Sequence, residues 1–407
     1  MKTLHNKLRK KYNHLKRSYL PSSEKPKRLI IDKAKWLNNA DSPVMLMIDD
    51  FTNAWHSRNS GGSWDIGGDW GGGLDKEGSA FSFLEENLLK DFPEVKVTFF
   101  TVAGKISQYT FAVPFTFSES LNHSDESRAF FRKLHEDEKS EIAYHGYNHG
   151  APGEKTVNFM QEWKGFRSVD EACEQTEKGK EIFKDVFGEY PRGGKYGGWE
   201  YNEFADASIA RSGFLWWCRD WMPRDISDSI SDSYYEPQFF GGSFVVALPS
   251  TVHGYLWDKG QIERLLEKQQ IISIEEHIAP VRPDGLIQTP NVIDDIDELK
   301  SLFNYLRNKK VWYATGTEIA KYFIAYSFTT IHDIEHDRFK IKYDGHVREP
   351  MLTVIVDCRS FCEDNKKPAE KVILPDGKKI EDFAYLDNRR HIIRVNIPVQ
   401  NGPYQIQ

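Results

Sequence analysis

Cysteine is scarce in this chain: Cys173, Cys218, Cys358 and Cys362 are the only four in 407 residues, and no two are spaced as CxxC. A disulfide framework and a thiolate zinc site are therefore not indicated. No apolar run approaches the length of a membrane span, and the N-terminus lacks the apolar core of a signal peptide, so the expectation is a cytoplasmic protein. Excess positive charge is also missing. The formal net charge of −7 gives no support for a nucleic-acid partner. What is present describes a globular protein: 39% hydrophobic and 14% aromatic residues, with ordinary Gly and Pro. The 11 Trp and 18 Tyr would suit a carbohydrate surface, or would fill core and strand positions. The length fits one large domain plus a small one, or two medium ones.

The N-terminal stretch differs from the rest. MKTLHNKLRKKYNHLKRSY is rich in Lys and Arg, and no acid occurs before Glu24. Leu4, Leu8, Tyr12, Leu15 and Tyr19 recur at helical spacing, which predicts a short amphipathic helix with a basic face. Such a helix could dock on an anionic membrane surface, here the inner one, or the segment could pack on its own domain or form a loose tail.

After Pro43 the pattern is strand, loop, helix, repeated. Strands are expected at Val44 to Ile48, Val95 to Val102, Glu141 to Tyr144, Phe214 to Trp217, Phe244 to Leu248, Ile271 to Ile274 and Val311 to Ala314. Helices are expected at Ser79 to Leu89, Ser168 to Phe187, Asn202 to Arg211, Gln261 to Gln269, Ile296 to Asn308 and Thr317 to Tyr322. The second carries Ser168 as N-cap, Glu171 as its capping-box partner and Gly188 just past its end. This alternation implies an α/β fold with a parallel sheet or barrel, whose site collects at the carboxyl ends of the strands. From about Thr329 the rhythm changes to short alternating runs split by DG turns. The expected division is a basic segment over 1–40, an α/β domain over 41–328 and a small antiparallel β-sandwich-like domain over 329–407.

Between the first two strands, NAWHSRNSGGSWDIGGDWGGGLD (Asn53 to Asp75) is a long loop crowded with Gly, Trp and Asp. Trp55, Trp64 and Trp70 could stack on a ring or cover a site, or simply anchor a surface loop.

Hydrolysis of an amide or ester needs a water made nucleophilic, a base, a stabiliser for the oxyanion and an acid for the leaving group. VMLMIDD (Val44 to Asp50) ends an apolar run with two aspartates, and EIAYHGYNH (Glu141 to His149) ends another with two histidines four apart. A divalent metal held by Asp50, His145 and His149 would leave positions open for water and a substrate oxygen. A helical turn would bring both imidazoles to one face. Asp49 would point away from Asp50 in a regular strand, but a turn at the strand end would free it to act as base. His277, ending the apolar run in QQIISIEEHIAP, is the acid candidate.

These residues resemble the polysaccharide deacetylases of carbohydrate esterase family 4, which share the NodB homology domain. That family has a strand ending in Asp-Asp, as base and metal ligand, then a His-(Ser/Thr)-x-x-His motif, and later a strand ending in an acid His. Asp49, Asp50, His145, His149 and His277 match, with Gly146 in place of Ser or Thr. Leu299 to Phe323 is similar to the family's closing helix, strand and helix. The resemblance covers about Val44 to Phe323. It implies a distorted (β/α) barrel of about seven strands, a divalent metal with zinc expected, and removal of an N- or O-acetyl group from a sugar. The partner would be an acetylated amino sugar or a glycan intermediate, and the missing signal peptide suggests one carried on a nucleotide or lipid.

Three departures stand out. Where the family places an Arg that holds the base, this chain has YPRGGKYGGW (Tyr190 to Trp199), with Lys195 nearest by spacing and Arg192 as the alternative. Lys keeps the positive charge but lacks the bidentate fork. In the fourth motif, WCRDW (Trp217 to Trp221) keeps Asp220 and Trp221 but lacks the earlier Asp. Asp50 and His145 are also farther apart than usual, because of the Trp-rich loop and the Ser107 to Ser140 segment. Lys195 and Asp220 join the catalytic candidates, and Tyr196 and Trp221 join the three loop tryptophans as candidate substrate contacts.

Two other readings compete. His332-Asp-Ile-Glu335-His336 matches the HxxEH pattern of zinc metallopeptidases, which requires a helix. The substituted third and fourth motifs would suit a carbohydrate-binding protein that has lost turnover. The intact Asp49, Asp50, His145, His149 and His277 oppose it.

Overall fold

The computed structural model describes residues 27–54, 79–106, 118–155, 158–219, 232–239, 242–278 and 288–407. Its first long strand, Ser42–Phe51, is buried at every position. A parallel strand covered on both faces must be apolar throughout rather than alternating, which is what the VMLMI run supplies. This strand pairs in parallel with Val97–Thr101 and with Ile272–His277. Further parallel pairs add Ser140–Tyr144, Gly193–Lys195, Trp216–Arg219 and Val246–Pro249 in turn. The last of these runs on through Ser250 and Thr251 into Val252–His253, which pairs with Ile272–His277 and closes the ring. Ser273 Oγ donates to Pro249 O at 2.7 Å across the closure. The result is an α/β fold, a distorted (β/α) barrel of seven strands. Val311–Tyr313 pairs in parallel with the start of the first strand.

Gly193–Lys195 has no strand signal in sequence, because Gly-Gly offers no side chain to pack. The reason is steric: a Cβ at Gly193 would collide with the indole of Trp216, and one at Gly194 with Trp217 and the Tyr144 carbonyl. Both tryptophans are fully buried, so the fourth strand is thin where its neighbour is thick.

Helix Val169–Phe187 has the expected caps. Ser168 Oγ accepts from Glu171 N at 3.1 Å, and Gly188 adopts φ 78°. Glu171 Oε2 reaches Arg167 N, one residue before the N-cap, at 2.8 Å. The helix Asp125–Glu136 lies within the Ser107 to Ser140 segment, where no helix is expected. Ser124 caps it, and Phe130, Phe131 and Leu134 bury its apolar face. The expected Thr317 to Tyr322 helix extends over Gly316–Phe328.

The described residues divide into two compact units, one within 40–324 and one uniting the residues from 27 to 39 with 325–407. Most of the segment expected over 1–40 lies outside the described residues; within its described part, the strand Ile30–Lys33 pairs antiparallel with Met351–Asp357. Backbone pairing recruits these residues, which no sequence period within 1–40 could announce. The second unit holds two antiparallel sheets. One joins Ile30–Lys33, Met351–Asp357, Ile392–Pro398 and Phe383–Tyr385; the other joins Thr329–His332, Arg338–Tyr343, Gly402–Ile406, Val372–Ile373 and Lys379–Ile380. The basic helix expected over Leu4 to Tyr19 lies outside the described residues. No helix among the described residues is long and apolar enough to cross a membrane.

Candidate metal centre

Because the barrel strands are parallel, their carboxyl ends share one mouth, and Asp49, Asp50, His145, Lys195 and His277 all sit there. Strand alternation would aim Asp49 and Asp50 to opposite faces. A break in register between Ile48 and Phe51, with Asp50 at φ 58°, lets the adjacent carboxylates enter one site. The left-handed conformation is costly for a non-glycine residue and persists where its surroundings hold it.

The histidine loop is not the helical turn that the four-residue spacing suggested. Residues 145–149 form an irregular bend with Gly146 at φ 111° and His149 at φ 64°. The imidazoles converge all the same: His145 Nε2 lies 3.2 Å and His149 Nε2 3.0 Å from Asp50 Oδ1. One ligand atom from each of the three residues lies within 4.8 Å of the others, and all three residues are buried.

This donor set fits a divalent cation. His145 Nδ1 lies 3.2 Å from the Lys195 carbonyl oxygen, which can only accept, so Nδ1 carries the proton. In the neutral ring Nε2 then presents a lone pair to Asp50 Oδ1, a buried oxygen with no hydrogen-bond partner among the described residues. Acceptors converging on one point call for positive charge between them. Burial pushes the Asp50 carboxyl up, but with the cation absent and the rings protonated the imidazoles of His149 and His145 outweigh it and hold the carboxyl well below the usual carboxylate range.

Asp49 has a different partner. Its Oδ2 is ion-paired with Lys195 Nζ, which also stands 3.3 Å from Glu275 Oε1. Glu275 accepts from Trp199 Nε1 at 2.7 Å and from Ser250 Oγ at 3.2 Å. The Lys195 ammonium lies 4.1 Å from the Trp199 ring centroid and 5.1 Å from that of Phe100. Burial lowers the affinity of Lys195 for its proton, but Asp49 and Glu275 outweigh burial and keep it charged. Burial lifts the Asp49 carboxyl above its ordinary value, with Lys195 and His145 pulling the other way. Asp49 Oδ1 has no hydrogen-bond partner among the described residues.

Between the two lysine-site alternatives, geometry selects Lys195. Arg192 is exposed and pairs with Glu189 at 2.7 Å. His277 Nδ1 lies 2.8 Å from the Pro290 carbonyl, which assigns the proton to Nδ1 and turns Nε2 inward, 3.6 Å from Asp50 Oδ2.

Tyr196 is a correction. It is fully buried, its hydroxyl donates to Asp206 Oδ1 at 2.8 Å, and its ring packs on Trp163, Tyr201 and Trp217. The side chain faces the core next to Lys195 because residues alternate along the fourth strand. Trp55, Trp64, Trp70, Asp220 and Trp221 lie outside the described residues. The HxxEH pattern begins at the end of the strand Thr329–His332 and is not on a helix, so its histidines cannot share one helical face.

Sequence reading missed Glu275, Trp199 and Ser250. Glu275 had a signal, since it stands two residues before His277 and therefore on the same face of one strand. Ser250 had none, because its place in the site comes from the barrel closure.

No family model and no curated protein matches this chain. Among solved structures, similar folds occur in polysaccharide deacetylases and their relatives. The allantoinase Puue is 15% identical with a TM-score of 0.44, covering 71% of this chain and 92% of its own. A protein described as a probable polysaccharide deacetylase from Pseudomonas aeruginosa is 16% identical with a TM-score of 0.44, covering 71% and 93%. A family 4 acetyl xylan esterase from Clostridium thermocellum, solved with a cobalt ion, is 12% identical with a TM-score of 0.33, covering 68% and 90%. At these scores the likenesses do not bear on chemistry, which is read from the site itself.

Proposed function

We propose that this protein is a metal-dependent hydrolase that removes an acetyl or similar acyl group from an amino sugar of a glycan or glycan precursor. The observation that carries this reading is the convergence, at one barrel mouth, of a three-donor cation site with a lysine-held carboxylate and a histidine whose tautomer is fixed. A divalent cation held by Asp50, His145 and His149, with zinc the expected ion, would supply the charge that acidifies a water molecule and polarises the substrate carbonyl.

The protein's own groups account for the proton movements. Asp49, with one oxygen held by Lys195, offers Oδ1 to take a proton from the attacking water. As the new C–O bond forms and the C–N bond breaks, the departing nitrogen needs a proton. His277 supplies it from Nε2 when doubly protonated, while Pro290 O retains the Nδ1 proton and the ring orientation. Lys195 keeps Asp49 in place with a single ammonium rather than a guanidinium fork.

The acetylated sugar is supported by the motif resemblance and by the tryptophans of the long loop. We propose a cytoplasmic glycan intermediate as the substrate pool. Detection of the protein outside the cell would overturn that assignment.

Metal analysis of the purified, untagged protein beside His145→Ala, followed by acetate release from N-acetylated amino sugars with metal restored, tests the function. About one equivalent of zinc or a similar ion, lost in the variant and matched by acetate release, supports it. Metal without acetate release moves the reading to another acyl group or to carbohydrate binding without turnover. A chain that takes up no metal overturns it.

A further inference from the structure

We propose that Glu162 is the positioning residue of the His145–His149 loop, a carboxylate outside the three-donor set that fixes the direction in which both imidazoles point. The inference rests on the reading of Asp50, His145 and His149 as a cation site.

Glu162 lies beyond that loop in sequence, yet its side chain closes it from behind. Its Oε1 accepts from Tyr147 N at 3.1 Å and its Oε2 from Asn148 N at 3.0 Å. Its own backbone N–H donates to the His149 carbonyl at 3.0 Å. The antiparallel bridges Gly150↔Gln161 and Ala151↔Met160 set the register that brings position 162 back to the loop. Two residues between the histidines and one histidine backbone are therefore fastened to one buried glutamate, 6% exposed.

The adjacent glycine shows that the space is dedicated to this carboxylate. Gly146 has φ 111°, and a Cβ there would stand 2.6 Å from Glu162 Oε2. The resembling family carries Ser or Thr at this place in its motif. Here no side chain fits while Glu162 occupies the space, so the departure at 146 and the glutamate at 162 are two halves of one arrangement.

An irregular bend leaves its amide N–H groups without the partners a helix would provide. Burying a carboxylate is costly unless charge-assisted hydrogen bonds satisfy it. Glu162 meets both requirements at once, and it holds His149 in a left-handed conformation that an unsupported histidine would leave. Groups that orient metal ligands without touching the metal commonly change affinity by about 10–100-fold when removed.

Cobalt(II) is a suitable probe because its visible spectrum reports ligand geometry. Wild type, Glu162→Gln and Glu162→Ala would be titrated with cobalt against a competing chelator. In the metal-free proteins, amide exchange of the 145–150 segment would be followed. Glu162→Gln keeps the size and one oxygen acceptor, so it separates positioning from failure to fold. We expect cobalt affinity to fall about 10–100-fold in Glu162→Gln and further in Glu162→Ala, with an altered spectrum. Exchange should rise in the 145–150 segment and not across the barrel. Unchanged affinity, spectrum and exchange in both variants would overturn the proposal, as would a loss of protection spread over the whole chain in Glu162→Gln. If wild type takes up no cobalt, the metal reading falls by itself. The exchange data then decide Glu162: a rise confined to the loop supports its role, and no rise refutes it.

Discussion

Lys195 and Asp49 form a buried ion pair between the fourth and first barrel strands, and the same ammonium stands 3.3 Å from Glu275. One cation thus serves two buried carboxylates, so its removal leaves both uncompensated.

Lys195→Met should therefore destabilise the fold by roughly 3–5 kcal/mol, the usual cost of breaking a buried pair from one side. Urea denaturation measures this. Glu275→Gln should cost less, because Asp49 then keeps the ammonium to itself.

Asp49→Asn should lower acetate release by a factor of about 10²–10⁴ while metal content stays near wild type. His145→Ala should lose both. Full activity in Asp49→Asn, measured with metal content verified, would remove Asp49 from the role of base.

Glu276 gives a pH dependence of stability. This residue is fully buried on the strand face opposite Glu275, and burial, then the charges of Asp295 and Glu275, push its carboxyl well above the ordinary value. A raised folded pKa means that the folded state keeps a proton that the unfolded chain releases above about pH 4.3. The associated stability is complete below that pH and is lost as pH rises toward the folded value. Glu276→Gln should thus melt at a higher temperature than wild type at pH 8, with the difference shrinking as pH falls to about 4. Equal pH dependence of the two melting curves would contradict the assignment.

Tyr196→Phe should remove about 1 kcal/mol of stability through the lost Asp206 hydrogen bond and leave KM unchanged. A raised KM with stability intact would restore Tyr196 as a substrate contact.

Chelation should lower the melting temperature of wild type and not of His145→Ala, because an ion bound only by the folded chain adds stability. The difference would be about 2.7 kcal/mol at one hundred times Kd. Calorimetry with and without chelator gives the comparison.

The sequence by itself determined much of the strand-and-helix order, though not the strand Gly193–Lys195 or the helix Asp125–Glu136, because a strand buried on both faces must be a continuous apolar run and VMLMI admits little else. It also placed Asp50, His145 and His149 at strand ends, since parallel strands collect their carboxyl termini at one mouth. Tertiary structure alone decided how adjacent Asp49 and Asp50 enter the same site, through a left-handed residue that no periodicity announces. It alone chose Lys195 over Arg192, because Lys195 ends the fourth strand at the mouth that holds Asp49, whereas Arg192 precedes the strand's amino end and pairs with Glu189 at the surface. The Ile30–Lys33 strand and the glutamates Glu162 and Glu275 became visible in the same way. Their roles are contacts between segments distant in the chain, and local sequence encodes the conformation of a segment far better than the partner it will meet.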